Sequence, residues 1–252
     1  MRQGGKILAA ILKKLCQAVK PGVTTGQLEE MALVLIKGAG ARPAFKGYKS
    51  MMETKAFPTA LCTSINEEIV HAPALPSRKL KSGDIIGIDV GIEFPFIDGQ
   101  HGYYTDIAAT VPVGKVSKEA AKLINVTRRS LDVAIEKIRP GNNLNDIGSA
   151  VQNFVEAHGF SVVRDLVGHG VGTAVHEDPQ IPNFSISDGS LENFTLKPGM
   201  TLAIEPMVNI GGHAIKGMPD GFTIVTADGS LSAHFEHTIA VTKDGHTVIT
   251  TL

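Results

Sequence analysis

The chain repeats itself, and this narrows the folds open to it more than any single motif does. VKPGVTTGQLEEMALVLIKGAG in the first half has the grammar of IRPGNNLNDIGSAVQNFVEAHG in the second. Adding 119 carries Val19 to Ile138, Lys20 to Arg139, Pro21 to Pro140 and Gly22 to Gly141 without a gap. The same step carries Thr24 to Asn143, Leu28 to Ile147, Leu35 to Phe154, Ile36 to Val155 and Gly40 to Gly159. Thr24 and Gln27 fit a capping box, in which each side chain satisfies a free amide at a helix start. Leu28, Met31, Ala32, Leu35 and Ile36 then make the buried stripe, and Gly38 and Gly40 end the helix. Before it, Ile7, Leu8, Ile11, Leu12, Leu15 and Val19 recur at helical spacing and predict an amphipathic helix over residues 5–19.

The repeat continues at other offsets. EIVHAP (68–73) resembles AVHEDP (174–179), which pairs His71 with His176. KSGDIIGIDVG (81–91) resembles KPGMTLAIEPM (197–207), which pairs Asp89 with Glu205. YTDIAATV (104–111) resembles HFEHTIAV (234–241), which pairs Asp106 with Glu236. Each half reads helix, capped helix and three strands. Two such halves predict one domain over 1–252, with repeats of about 5–115 and 116–252, packed as a pseudo-twofold structure around one sheet. Pro- and Gly-rich stretches at 41–60, 72–77, 92–103, 179–200 and 211–221 are expected as loops.

A chain of 252 residues can bury a sizeable core. Its net charge of −1 gives no reason to expect nucleic-acid recognition or an anionic membrane as partner. The apolar run ILAAIL near the start is closed by Lys13 and Lys14, too short for a signal sequence or a membrane span. Two cysteines, Cys16 and Cys62, make a disulfide framework improbable and fit a reducing, cytoplasmic setting.

Four acids stand where acids are costly. Asp89 lies in DIIGIDVGI and Glu205 in MTLAIEPMV, while Asp106 precedes IAATVPV and Glu236 precedes HTIAVT. Each sits in or beside an apolar, β-prone run. A buried carboxylate without a partner costs several kcal/mol or takes up a proton. Any one alone could be a neutralised or salt-bridged core acid. Four, related by the repeat and with no lysine or arginine in their strands, call for a common source of positive charge. Two divalent cations would balance four carboxylates, and oxygen donors with one imidazole suit Mn, Fe, Co or Zn.

The stretch LVGHGVGTAVHEDPQ adds two histidines that the repeat makes unequal. His176 has a counterpart in His71. His169 has none, since subtracting the same 105 gives Ser64. That asymmetry favours His169 as the nitrogen ligand and the His71–His176 pair as groups flanking a substrate; spacing alone leaves the reverse open. Glu177 and Asp178 are expected not to be ligands.

GHGVGTAVHEDPQIPNF, LKPGMTLAIEPM, SLSAHFEHTIAVT and SINEEIVHAP together resemble the type I methionine aminopeptidases, a branch of peptidase family M24. The resemblance runs from about residue 5 to the C-terminus. It implies an α+β fold, the pita-bread (creatinase/aminopeptidase) fold: a curved, mainly antiparallel sheet with outer helices and an internal pseudo-twofold repeat. It implies a metallo-exopeptidase that removes the N-terminal methionine of nascent proteins when the second residue is small, using a hydroxide bound by two metals. Asp89 would hold one metal, Asp106 and Glu236 would bridge both, and His169 and Glu205 would complete the other site. Glu205 would also act as general base, His176 would stabilise the oxyanion, and His71 would contact the scissile amide and help protonate the leaving amine. Phe45, Tyr48, Phe57, Cys62 and Phe222 would line the methionine pocket. Asn66 and Ser232 would belong to a structural monovalent-cation site. The implied partners are N-termini of newly made polypeptides, at the ribosome, and the implied state is a cytoplasmic monomer.

The chain departs from that pattern in a longer loop between Asp89 and Asp106, expected to extend a hairpin away from the metals, in a longer segment before Cys62, and in Ala72, where the family usually has glycine. Two other readings stay in view. A proline-directed peptidase of the same fold usually carries an extra N-terminal domain. A non-catalytic binding module tends to lose ligands, and here all five have counterparts.

Overall fold

The computed structural model describes residues 1–49, 55–186 and 192–251. Of the expected loops, residues 50–54 and 187–191 lie outside these. Among the described residues, four helices cover an 11-stranded sheet whose strand pairs are all antiparallel. Helices α1 (Arg2–Ala18) and α2 (Thr25–Gly38) belong to the first half, α3 (Lys118–Glu136) and α4 (Leu144–Ala157) to the second.

The repeat is visible bond by bond. α2 opens on a capping box between Thr24 and Gln27, and α4 on one between Asn143 and Asp146. Gly22 and Gly141 both take a positive φ, 94° and 91°, which a turn residue without Cβ adopts at no steric cost. The Gly22 N–H donates to the Leu80 carbonyl, and the Gly141 N–H to that of Leu196. Thr24 bridges to Lys79 as Asn143 bridges to Thr195.

Each half has its own core. Leu8, Leu12, Leu15, Leu28 and Ile36 pack against Ile86, Ile88, Val90 and Ile92 of the strand Ile85–Phe94. Leu123, Ile147, Val151 and Val155 pack against Leu202, Phe235 and Ile239. Ala109 touches both cores. Because side chains alternate along a strand, the residues between these apolar ones point to the opposite face.

Several expected loops contain short strands. Arg42–Pro43, Glu177–Ile181 and Ile215–Gly217 all join sheets, because neighbouring backbone supplies their pairing. The strands Ile85–Phe94 and Tyr103–Pro112 pair as far as Phe94 opposite Tyr103, so the long loop extends a hairpin. Its residues Phe96 and Ile97 are exposed.

Candidate metal centre

Strand register brings the acids together. Asp89, on Ile85–Phe94, lies opposite Ala108, and so does Glu236, on the strand Ser232–Thr242. Residues directly opposite in a sheet share a face, and so do residues two apart on one strand. Asp106, two before Ala108, therefore joins Asp89 and Glu236 on the face turned away from the helices. His169 lies opposite Ala203, which lies opposite Thr238, two residues from Glu236. Glu205 is two residues past Ala203 and completes the row. Small side chains at Ala108 and Ala203 leave the floor between the ligand groups open. Gly91 faces Asp106 across the strands, and a Cβ there would sit 2.9 Å from the Phe45 ring.

Ligand atoms of Asp106, His169 and Glu236 lie within 4.8 Å of one another. The His169 Nε2 is 3.5 Å from Glu205 Oε1. Its Nδ1 lies 2.8 Å from the Gly170 carbonyl, which can only accept, so Nδ1 carries the proton and Nε2 offers a lone pair. Burial, with His176 nearby, pushes His169 down to about 4 and keeps it neutral, the form a metal binds. Burial raises Asp106 to about 7. Burial first, and then the negative charge of the neighbouring acids, holds Asp89, Glu205 and Glu236 well above the carboxylate range. Among the described residues, no lysine or arginine pairs with any of the four. Asp89 Oδ1 and Glu236 Oε1 are buried without a hydrogen bond. Orphaned carboxylate oxygens around one neutral imidazole fit divalent cations of the harder or borderline kind.

A cavity of about 910 Å³ opens over this row and is lined by every residue expected at the site. The metal-ligand candidates form its floor. His176 lies at the rim, with its Nδ1 2.8 Å from the Tyr48 hydroxyl and its ring 4.5 Å from that of His169. His71 takes φ 59°, an uncommon conformation for a residue with a side chain and one that often marks a functional position. Phe45 and Cys62 pack with Val175, and Tyr48, Phe57 and Tyr104 lean on them. Phe57 meets Phe45 and Phe222 edge-to-face, at 6.5 and 5.5 Å. Burial and the neighbouring Asp89 and Asp106 raise the Cys62 thiol well above its ordinary value, so it lines the wall as a neutral group.

Glu177 borders the cavity, but its Oε1 accepts from the backbone N–H groups of Thr173 and Ala174 and from the Thr173 hydroxyl. It ties the turn between the two histidines. Asn66 and Ser232 lie apart from the cavity. The Asn66 carbonyl accepts from the Ser232 N–H, while its side-chain amide is taken up by Asp84 and Ile85. The residue missed by the sequence reading is His234. Its Nε2 is buried without a hydrogen bond and lies 3.8 Å from Glu205 Oε2. The signal was available: His234 is two residues before Glu236 on one strand and must share its face.

The chain matches metallopeptidase family M24 over residues 1–243. It is 45% identical to methionine aminopeptidase 1 of Bacillus subtilis over 251 residues, covering 99% of this chain and 94% of that protein. It is 42% identical to the methionine aminopeptidase of Escherichia coli K12 over 251 residues, 99% of this chain and 89% of the other. The crystal structure of methionine aminopeptidase from Thermotoga maritima superposes with a TM-score of 0.90 at 42% identity, covering 100% and 95% of the two chains. A prolidase from Pyrococcus horikoshii shares the fold, with a TM-score of 0.73 at 20% identity over 99% of this chain and 60% of that one. With the pseudo-twofold sheet, the outer helices and the acid-lined cavity, these likenesses place the chain in metallopeptidase family M24.

Proposed function

We propose that this chain is a methionine aminopeptidase, one catalytic unit that removes the first methionine from newly made polypeptides whose second residue is small. The observation that carries the reading is the juxtaposition of four carboxylates without a lysine or arginine partner, Asp89, Asp106 and Glu236 buried and Glu205 only slightly exposed, and a neutral His169 with an aromatic and thiol-lined pocket. The first group suits peptide hydrolysis and the second suits a thioether side chain. The relatives' names point the same way.

In this reading Asp89, Asp106, His169, Glu205 and Glu236 would hold two divalent ions. When bound, the ions would supply Lewis acidity and a water made nucleophilic at neutral pH. Glu205 takes the proton released as the scissile carbonyl is attacked. His176, steadied by Tyr48, meets the oxygen on which negative charge develops. His71 donates to the departing amide nitrogen. The free α-amino group lies near Asp89, which limits cleavage to the first bond. Phe45, Tyr48, Phe57, Cys62 and Phe222 enclose the methionine side chain. On this reading the enzyme works in the cytoplasm on chains leaving the ribosome, as the monomer that the family resemblance implies. Among the described residues, no helix is long and apolar enough to cross a membrane. The ion is one of Mn, Fe, Co or Zn, and a monovalent cation beside Asn66 and Ser232 would be structural.

One assay tests this. The protein loaded with each metal in turn is given Met-Ala-Ser, Met-Lys and Ala-Pro peptides, with and without a chelator. Release of methionine from Met-Ala-Ser alone, abolished by chelator, is the expected result. Faster cleavage of the Ala-Pro peptide would move the chain to the proline-directed enzymes, and no cleavage with any metal would leave a binding module.

A further inference from the structure

The wall that carries Phe222 is built differently from the rest of the cavity. Phe45 and Cys62 belong to buried clusters, whereas residues 218–223 form the tip of a separate hairpin. Its strands, Ile215–Gly217 and Ile224–Thr226, pair with each other, and the second also pairs with Glu68–Val70, which runs directly into His71. The register shifts between Ile224 and Val225, just past the tip. Exposed tips with few apolar contacts open easily unless something pins them.

Asp220 is that pin. Its Oδ1 accepts from the backbone N–H of Phe222 and of Thr223, both at 2.9 Å, and its Oδ2 accepts from the Thr223 hydroxyl. The Met218 N–H donates to the Thr223 carbonyl and closes the tip. Asp220 itself does not line the cavity, while Met218, Phe222 and Thr223 do. From this tip a chain of edge-to-face rings, Phe222 to Phe57 to Phe45, reaches the buried cluster of Phe45, Cys62 and Val175. Backbone bonds from Gly221 to Met218 and from Met218 to Thr223 close the tip on either side of Phe222, and the Phe222 N–H itself is held by the Asp220 side chain.

We propose that Asp220 is a positioning residue that sets the width of the side-chain pocket. By fixing the backbone of Phe222 it holds that ring against Phe57. The wall then admits an unbranched thioether and resists branched or longer first residues. The inference rests on reading this cavity as the methionine pocket. A fixed wall is what lets a pocket discriminate by one methylene, an effect of about 10–200-fold. A wall free to rock loses that leverage without disturbing the distant carboxylates.

The test uses the full-length, metal-loaded protein and its Asp220→Ala and Asp220→Asn variants on Met-Ala-Ser, norleucine-Ala-Ser and Leu-Ala-Ser. Metal content and Tm are measured alongside. Asp220→Ala should raise KM for Met-Ala-Ser about tenfold and leave kcat within about twofold, the pattern of lost ground-state binding. The Met-to-Leu ratio of kcat/KM should fall about tenfold. Asp220→Asn keeps the acceptor for both amides and should restore most of each effect. Unchanged KM and ratio in the alanine variant, or an equal loss on all three peptides, would overturn the proposal. Should Asp220→Ala lose metal or fold, Thr223→Val must show the same KM shift in smaller measure, and its absence would overturn the proposal as well. Wild-type protein inactive on all three peptides would instead remove the underlying reading of the site.

Discussion

Ile107 and His237 are paired across adjacent strands and are also counterparts in the repeat, since 107 plus 130 is 237. A residue that pairs with its own counterpart marks the twofold axis of the molecule. Asp106 and Glu236 are therefore one step from that axis on equivalent strands, on the same face, with Ala108 beside them. Backbone register holds these two acids symmetrically about the axis, the placement that the proposed sharing of both between two ions would require.

Replacing one of them should cost both sites. Asp106→Asn is expected to lower activity more than about 100-fold, beyond the 10–100-fold usual for outer-shell partners. Metal content, read by mass spectrometry, should fall at both positions. Near-normal turnover with two ions retained would end the shared-ligand assignment.

The two histidines should separate cleanly. His169→Ala is expected to lose about one equivalent of metal. His176→Ala should keep both ions and lose about 10²–10³ in kcat, the usual effect of removing one oxyanion donor. Metal titration by calorimetry distinguishes them, and loss of metal from the His176 variant would mean the assignments are reversed.

Metal removal should invert the usual pH dependence of stability. In the metal-free fold Asp106 titrates at about 7, against roughly 4 for a free aspartate. Between those values the folded state holds a proton that the unfolded state has released. Stability from this group is present below about pH 4 and is lost as pH rises through 7. Chelated protein should thus melt lower at pH 8 than at pH 5.5, and Asp106→Asn should flatten the slope. Added divalent ion should reverse it, because ligands bind metal in the deprotonated form. Identical slopes with and without metal would contradict the cluster described above.

Glu177 should prove important without binding metal. Glu177→Ala frees the turn that spaces His169 from His176, and kcat should drop about tenfold for a misplacement well under 1 Å. Two ions should stay bound, and Glu177→Gln should recover part of the loss. Wild-type kcat in the alanine variant would show that the turn holds itself.

Much of this was legible in the sequence. The repeat could be read because helix caps and Pro-Gly turns are set locally: Thr24 and Asn143 cap with residues three positions on, and Gly22 and Gly141 supply the positive φ. The acids could be read because a carboxylate in an apolar strand is conspicuous. Short strands such as Arg42–Pro43 could not, since their pairing comes from strand Ile85–Phe94, far along the chain. His234 was hidden in plain alternation with Glu236. The work of Glu177 and Asp220 was invisible, because hydrogen bonds to backbone amides leave no pattern in side-chain chemistry.

The seam along Ile107 and His237 has a consequence for any attempt to shrink the molecule. A lone half would end in a bare edge strand, a standing invitation to aggregate. That edge is complementary to its own copy, so the half would be soluble only as a symmetric dimer, and then only at concentrations above its dissociation constant. Fusion turns this encounter between two molecules into a contact within one. It also lifts the demand that both halves be identical, which is what permits a histidine at position 169 where the other half keeps Ser64.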